Sequence, residues 1–199
     1  MAQLRKQESS FKGTIGKTLN DSEPWFELPQ HPGEDAPNVV VVLLDDTGFA
    51  QLGCYGSSID TENIDNLAAD GMQFTNFHVT PLCSPTRASL LTGRSQHAVG
   101  MRSVSNFRTG FPHMLGHITN EAATMAEIFQ AEGYATFCAG KWHLAPMENC
   151  SSAGPFDQWP LGRGFDRFYG FLEGETDQFH PDLVRDNPVS YTHLRAHET

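Results

Sequence analysis

Apolar residues follow two spacings along this chain. From Pro37 to Asp46 they run almost unbroken, Pro-Asn-Val-Val-Val-Val-Leu-Leu-Asp-Asp, a short β-branched stretch of the kind buried on both faces of a sheet. It predicts the strongest strand. Gln73 to Thr80 alternates aromatic and polar positions and predicts a second strand, and Tyr134 to Ala139 a third. At helical spacing, Thr61 to Asp70 predicts a short helix closed by Gly71. Asn120 to Glu132 predicts an amphipathic helix that buries Ala123, Met125, Ile128 and Phe129 and stops at Gly133. Ser84 and Pro85 read as N-cap and first helical position, opening a helix through Leu90 and Leu91 to Gly93. Cys83 then stands just ahead of a helix N-terminus.

Strands alternate with helices, so the expected class is α/β, a mainly parallel sheet flanked by helices, with ligands gathered at the carboxyl ends of the strands. Residues 1–37 are polar and carry Pro and Gly without a sustained period, which predicts an extended arm wrapping the domain, anchored by Trp25 and Phe26. Residues 38–187 form the domain itself.

With 199 residues, 39% of them hydrophobic, the chain is long enough for one domain with a sizeable core. Its formal charge of −11 argues against nucleic acid or an anionic membrane as partner, because an acidic field repels both. An anionic substrate would need positive charge concentrated at the site. No apolar run approaches the roughly 18 residues of a membrane span, and Met1 to Asn20 lacks the apolar core of a signal peptide, so a cytoplasmic address is expected. The four cysteines show no CxxC spacing, which disfavours a disulfide framework or a zinc site.

Asp45 and Asp46 close the strongest predicted strand, and adjacent carboxylates repel unless a hard cation or strong donors hold them. A Ca²⁺ or Mg²⁺ site fits this pair, and so does a strand-to-turn junction made by Asp46-Thr47-Gly48. Taken singly, Cys83 reads as a buried cysteine, Lys141 as a solvated strand-end charge and His143 as a structural histidine. His78, His97, His113, His117 and His180 carry no signal beyond that.

Two longer segments change the reading. Cys83-Ser-Pro-Thr-Arg-Ala-Ser-Leu-Leu-Thr-Gly-Arg94 resembles the type I sulfatase signature, in which C-x-P-x-R marks a cysteine oxidised by a separate enzyme to Cα-formylglycine. Cys83, Pro85 and Arg87 match, and Thr86 stands where many members have Ser. Gly133-Tyr-Ala-Thr-Phe-Cys-Ala-Gly-Lys-Trp-His-Leu144 resembles the second signature, G-Y-x-T-x-x-x-G-K-W-H. Gly53-Cys-Tyr-Gly56, Asn63-Ile-Asp65, Thr75-Asn-Phe-His78 and Arg163-Gly-Phe-Asp166 are similar to further family landmarks, so the resemblance covers roughly residues 37–186. The arm around Phe11 to Gly16 looks like that of bacterial arylsulfatases without a signal peptide.

The resemblance implies an alkaline-phosphatase/sulfatase-like fold and hydrolysis of small sulfate esters. It implies a formylglycine made from Cys83 by a formylglycine-generating enzyme, and a cation, Ca²⁺ with Mg²⁺ as the alternative, ligated by Asp45, Asp46 and residue 83. Arg87 would steady the carboxylates and residue 83, Lys141 would neutralise sulfate oxygens, and His143 would deprotonate a hydroxyl on residue 83. It also implies an incomplete fold: family members draw a second metal pair, another histidine and another lysine from regions beyond those represented here. The family-like text ends at Asn187, and residues 188–199 look like a non-native tail. Two rival readings stand beside this one, a phosphonate monoester or phosphodiester hydrolase of the same superfamily and a partial domain without turnover. Oligomeric state carries no signal.

Overall fold

The computed structural model describes residues 11–26, 31–187 and 189–190. The tail expected from 188 therefore lies, apart from the backbone of 189–190, outside the described residues. The chain divides into two units, Met1–His31 and Pro32–Thr199. In the first, Thr14 and Glu23 exchange backbone hydrogen bonds of 3.0 and 2.8 Å around a 3-10 turn at Leu19–Asp21. Trp25 is half-buried beneath the Lys12 ammonium, whereas Phe26 is 80% exposed.

Three α-helices lie in the second unit among the described residues. The first, α1 (Glu62–Asp70), starts and ends where its sequence predicts, with Thr61 as N-cap and Gly71 as C-cap. The Thr61 hydroxyl accepts from the Gly53 amide at 2.8 Å and donates to Asp65 at 2.9 Å, which ties the preceding turn to the helix. α2 (Cys83–Thr92) begins earlier than expected, with Leu82 at the N-cap. Ser84 does not cap it: its hydroxyl is fully buried and accepts from the Ser105 amide at 3.2 Å. Pro85 is still within the first turn, where its missing N–H costs no hydrogen bond. Cys83 is consequently the first residue of the helix rather than the residue before it. Gly93 ends the helix in the left-handed region, φ 63°, donating to the Ser89 carbonyl at 2.9 Å.

α3 (Met125–Ala131) is shorter than the helix expected from Asn120. Thr124 and Glu127 form a reciprocal capping box, 3.1 Å and 2.6 Å, which fixes the start and turns the buried face by one position. Ala122 and Ala126 are buried, Met125 and Phe129 half-buried, and Ala123 and Ile128 exposed, contrary to the expected face.

The sheet runs in the order β1 (Phe137–Lys141), β2 (Arg167–Phe171), β3 (Leu183–Arg185), β4 (Val189–Ser190). β1 and β2 are parallel, with Cys138 opposite Phe168 and Lys141 opposite Phe171, and the other two pairings are antiparallel. The α/β class holds, with one parallel pair extended by two antiparallel ones. Gly140 faces Gly170 across the parallel pair, and a Cβ on Gly170 would overlap the Gly140 carbonyl, so this approach requires glycine. β1 starts three residues later than Tyr134, after Thr136 has bonded to Asp166 through its amide and hydroxyl.

The strands expected over 37–46 and 73–80 do not form. Residues 38–44 carry no regular secondary structure and join no sheet among the described residues, and Val40 is 83% and Val42 75% exposed; Phe74, Phe77 and Val79 are likewise exposed. β propensity produces a strand only when a neighbour accepts its backbone bonds, and none does so among the described residues. A cleft of about 1750 Å³ is lined by both the 38–45 segment and β1, which touch at Asp45 and Lys141.

The core lies between α2 and the sheet. Trp142, Leu144, Trp159, Phe168, Val99, Met101 and Ile118 are each no more than 2% exposed. Arg163 is buried with them and donates to the carbonyls of Ile118 and Ala122 at 2.9 and 2.7 Å, which makes it a structural clamp on the segment entering α3. No helix among the described residues is long and apolar enough to cross a membrane.

Candidate active site

Four segments meet at the carboxyl end of β1. Lys141 is the last residue of β1, and the chain continues beside β2 as Trp142 and His143 donate their amides to Phe171 and Leu172, each at 2.9 Å. His143 has a left-handed backbone, φ 53°, uncommon for a residue with a Cβ. That turn aims its imidazole at the start of α2, where Nδ1 lies 3.1 Å from the Cys83 sulfur. One helical turn beyond Cys83, Arg87 donates to the Lys141 carbonyl at 2.6 Å and so ties α2 to the end of β1.

The charges are arranged around Asp45. Lys141 Nζ lies 2.6 Å from one carboxylate oxygen and Arg87 Nη2 3.4 Å from the other. Burial raises the Asp45 carboxyl, but the bond to Lys141 and the charges of Lys141 and Arg87 outweigh it and hold the group below its ordinary value. Asp46 follows with φ 52°, the second strained residue of the site. Arg87 Nε is buried and makes no hydrogen bond.

His143 is 4% exposed. Burial, with Lys141 and Arg87 nearby, pushes its imidazole down from 6.5 to about 4, so the ring is neutral near pH 7 and keeps a lone pair. Its Nε2 lies 2.6 Å from Asn106 Oδ1. Gly174, in the turn after β2, packs on the ring face: a Cβ there would stand 2.8 Å from the imidazole. By contrast, burial drives the Cys138 and Cys150 thiols up to about 11, which removes both from thiolate chemistry.

All the residues singled out on the sequence, Asp45, Asp46, Cys83, Arg87, Lys141 and His143, fall in this neighbourhood, and direct contacts join Cys83 to His143 and Asp45 to Arg87 and Lys141. Asp45 and Asp46 offer the hard oxygen donors a divalent cation takes, and Asp45 remains 40% exposed on its open side. No group of three or more His, Cys, Asp or Glu side chains suited to a metal occurs among the described residues. Sequence reasoning missed Asn106, Gly174 and the Ser84–Ser105 bond. None has a local signature, because each matters only through a contact made across the fold.

The geometry defines an α/β protein with a polar site at a strand's carboxyl end, built of a helix-start cysteine, a neutral histidine and two cations paired with one carboxylate. The family model described as Sulfatase matches residues 37–196, reaching past the boundary drawn at 188 on the sequence, and the chain belongs to the sulfatase family. It is 44% identical to human arylsulfatase A over 140 residues, 67% of this chain and 25% of that protein. It is 41% identical to human steryl-sulfatase over 139 residues, 67% of this chain and 23% of that one. Among solved structures, Ps i-CgsB superposes with a TM-score of 0.62 at 29% identity, over 73% of this chain and 35% of that chain. The chain thus spans about a quarter of the length of the curated relatives it matches.

Proposed function

We propose that this site hydrolyses sulfate esters, with residue 83 as nucleophile after conversion of Cys83 to formylglycine by a formylglycine-generating enzyme. The observation that carries the reading is the 3.1 Å approach of His143 Nδ1 to residue 83, beside a carboxylate bridged by Arg87 and Lys141. Membership of the sulfatase family supplies the reaction class.

A hydrated formylglycine supplies two hydroxyls on one carbon, one to attack sulfur and one whose deprotonation expels sulfate. A divalent cation, Ca²⁺ or alternatively Mg²⁺, would be held by Asp45, Asp46 and residue 83, and supplies positive charge where the nucleophile and sulfate oxygens meet. The chain's own residues do the rest. Lys141 and Arg87 neutralise anionic oxygens that the protein's overall charge of −11 would repel. The first turn of α2 adds its unpaired amides to the same anion. His143, neutral because its imidazole sits near 4, accepts the proton from residue 83.

We further infer that residues 38–187 form the N-terminal part of a longer catalytic domain, since the apolar run over Val39–Leu44 is exposed in this chain and the match covers only 25% of human arylsulfatase A. The test co-expresses a formylglycine-generating enzyme with the chain, and separately with a family-length protein carrying these residues. Peptide mass at residue 83 then reports conversion, and rates on an aryl sulfate and an aryl phosphonate report the reaction. Conversion with a preference for sulfate in the longer protein supports the proposal. Preference for phosphonate would assign the site to the rival hydrolase class, and unconverted Cys83 in both proteins would end the formylglycine reading.

A further inference from the structure

Neutral histidine has one N–H, and which ring nitrogen carries it decides what the other can do. At His143 one nitrogen faces residue 83 and the other faces Asn106. Asn106 presents its carbonyl oxygen at 2.6 Å, and the neighbouring Ser105 hydroxyl reaches the same oxygen at 3.5 Å, which is the orientation of an acceptor. An amide oxygen can only accept. The proton therefore belongs on Nε2, and Nδ1 is left with its lone pair directed at residue 83.

The loop that carries Asn106 is fixed to the helix that carries the nucleophile. The Ser105 amide donates to the Ser84 hydroxyl at 3.2 Å, both residues being buried. Ser84 adjoins Cys83, and Ser105 adjoins Asn106. One hydrogen bond thus couples the position of residue 83 to that of the amide across the imidazole. Gly174 against the ring and the His143 amide on Leu172 limit the remaining freedom of the side chain.

We propose that Asn106 is a positioning residue that holds His143 as the Nε2–H tautomer, so that Nδ1 is the proton acceptor for the side chain at position 83. The catalytic meaning of this rests on the reading of His143 as a base, but the tautomer itself does not. It is read directly by long-range ¹H–¹⁵N correlation of the imidazoles in the 199-residue chain at neutral pH, with His143→Gln assigning the signal.

The expected spectrum has Nε2 protonated and Nδ1 not. Asn106→Leu removes the acceptor and loses this pattern in favour of a tautomer mixture, while Asn106→Asp, which keeps an acceptor in place, restores it. A merely structural Asn106 would not show this split between Leu and Asp. Protonation at Nδ1 in the unmodified chain overturns the proposal, as does an unchanged Nε2–H signal in Asn106→Leu. If the Leu variant does not fold, the unmodified chain and Asn106→Asp decide, since both must show Nε2–H. None of these readouts needs turnover: a confirmed tautomer with no sulfate hydrolysis would count against the proposed reaction and leave the role of Asn106 standing.

Discussion

Between Val39 and Leu82 the apolar side chains face solvent, with Val40 83%, Leu67 73% and Phe77 64% exposed. All of the buried core lies beyond Cys83, with Ala88 and Trp159 fully buried and Phe168 and Trp142 each at 2%, while Phe137 and Ile128 stay exposed. The first region is no less apolar in sequence than the second. The difference lies in partners: the buried residues pack on one another in a single cluster and β1 is paired with β2, whereas the 38–44 segment joins no strand among the described residues. An apolar run stabilises a fold only through a second surface that removes it from water. The site sits on the seam, with Asp45 from the first region and its cations from the second.

The largest effects belong to the second region. Trp159→Ala removes a fully buried ring whose indole N–H donates to the Asn149 carbonyl at 2.7 Å, and should cost about 3–5 kcal/mol in a denaturant titration. Val40→Ser, in the exposed run, should change the same midpoint by less than about 0.5 kcal/mol. Near-equal costs would erase the distinction between the regions. Arg163→Met is next: it leaves the carbonyls of Ile118 and Ala122 without their donor, a loss of about 2–3 kcal/mol by the same titration.

Acid should weaken the site before the rest of the core. The His143 imidazole lies near 4 in the folded chain against an ordinary 6.5, so as pH falls the unfolded chain takes up that proton first. Its contribution is complete above about 6.5 and is lost down to about 4, at up to about 1.4 kcal/mol per pH unit. Asp45, whose carboxyl is held low, acts in the same direction at still lower pH. His143→Gln should flatten the upper part of this profile in thermal melts across pH.

Gly174→Ala should cost about 1–3 kcal/mol and displace the imidazole, seen as a shift of the His143 ring signals. Asp45→Asn is the smallest of the site changes, about 1 kcal/mol or less, because the carboxylate is 40% exposed and water screens the pair. The same denaturant titration checks it: a loss above about 3 kcal/mol would mean that the pair behaves as a buried one and that the seam is part of the core.

Much of the site was legible in the residues. The two signatures singled out Cys83, Arg87, Lys141 and His143, which lie at one helix start and one strand end, although Cys83 is inside α2 rather than ahead of it and β1 runs past Ala139 to Lys141. The cap of α2 was misread because Ser84 answers to Ser105, and the face of α3 was misread because the capping box begins at Thr124. Both errors come from hydrogen bonds whose partners local periodicity does not reveal.

The sequence by itself determined α1 and its stop at Gly71, the stop of α2 at Gly93, the α/β class and the family. Each follows from interactions within a few residues or from contiguous motifs. Only the tertiary structure decided that 38–44 has no strand partner among the described residues, that Asn106 faces the imidazole of His143, and that Asp45 lies between Lys141 and Arg87. Those outcomes depend on which surfaces meet after the chain has crossed itself, a choice governed by long-range packing and charge rather than by the order of neighbouring residues.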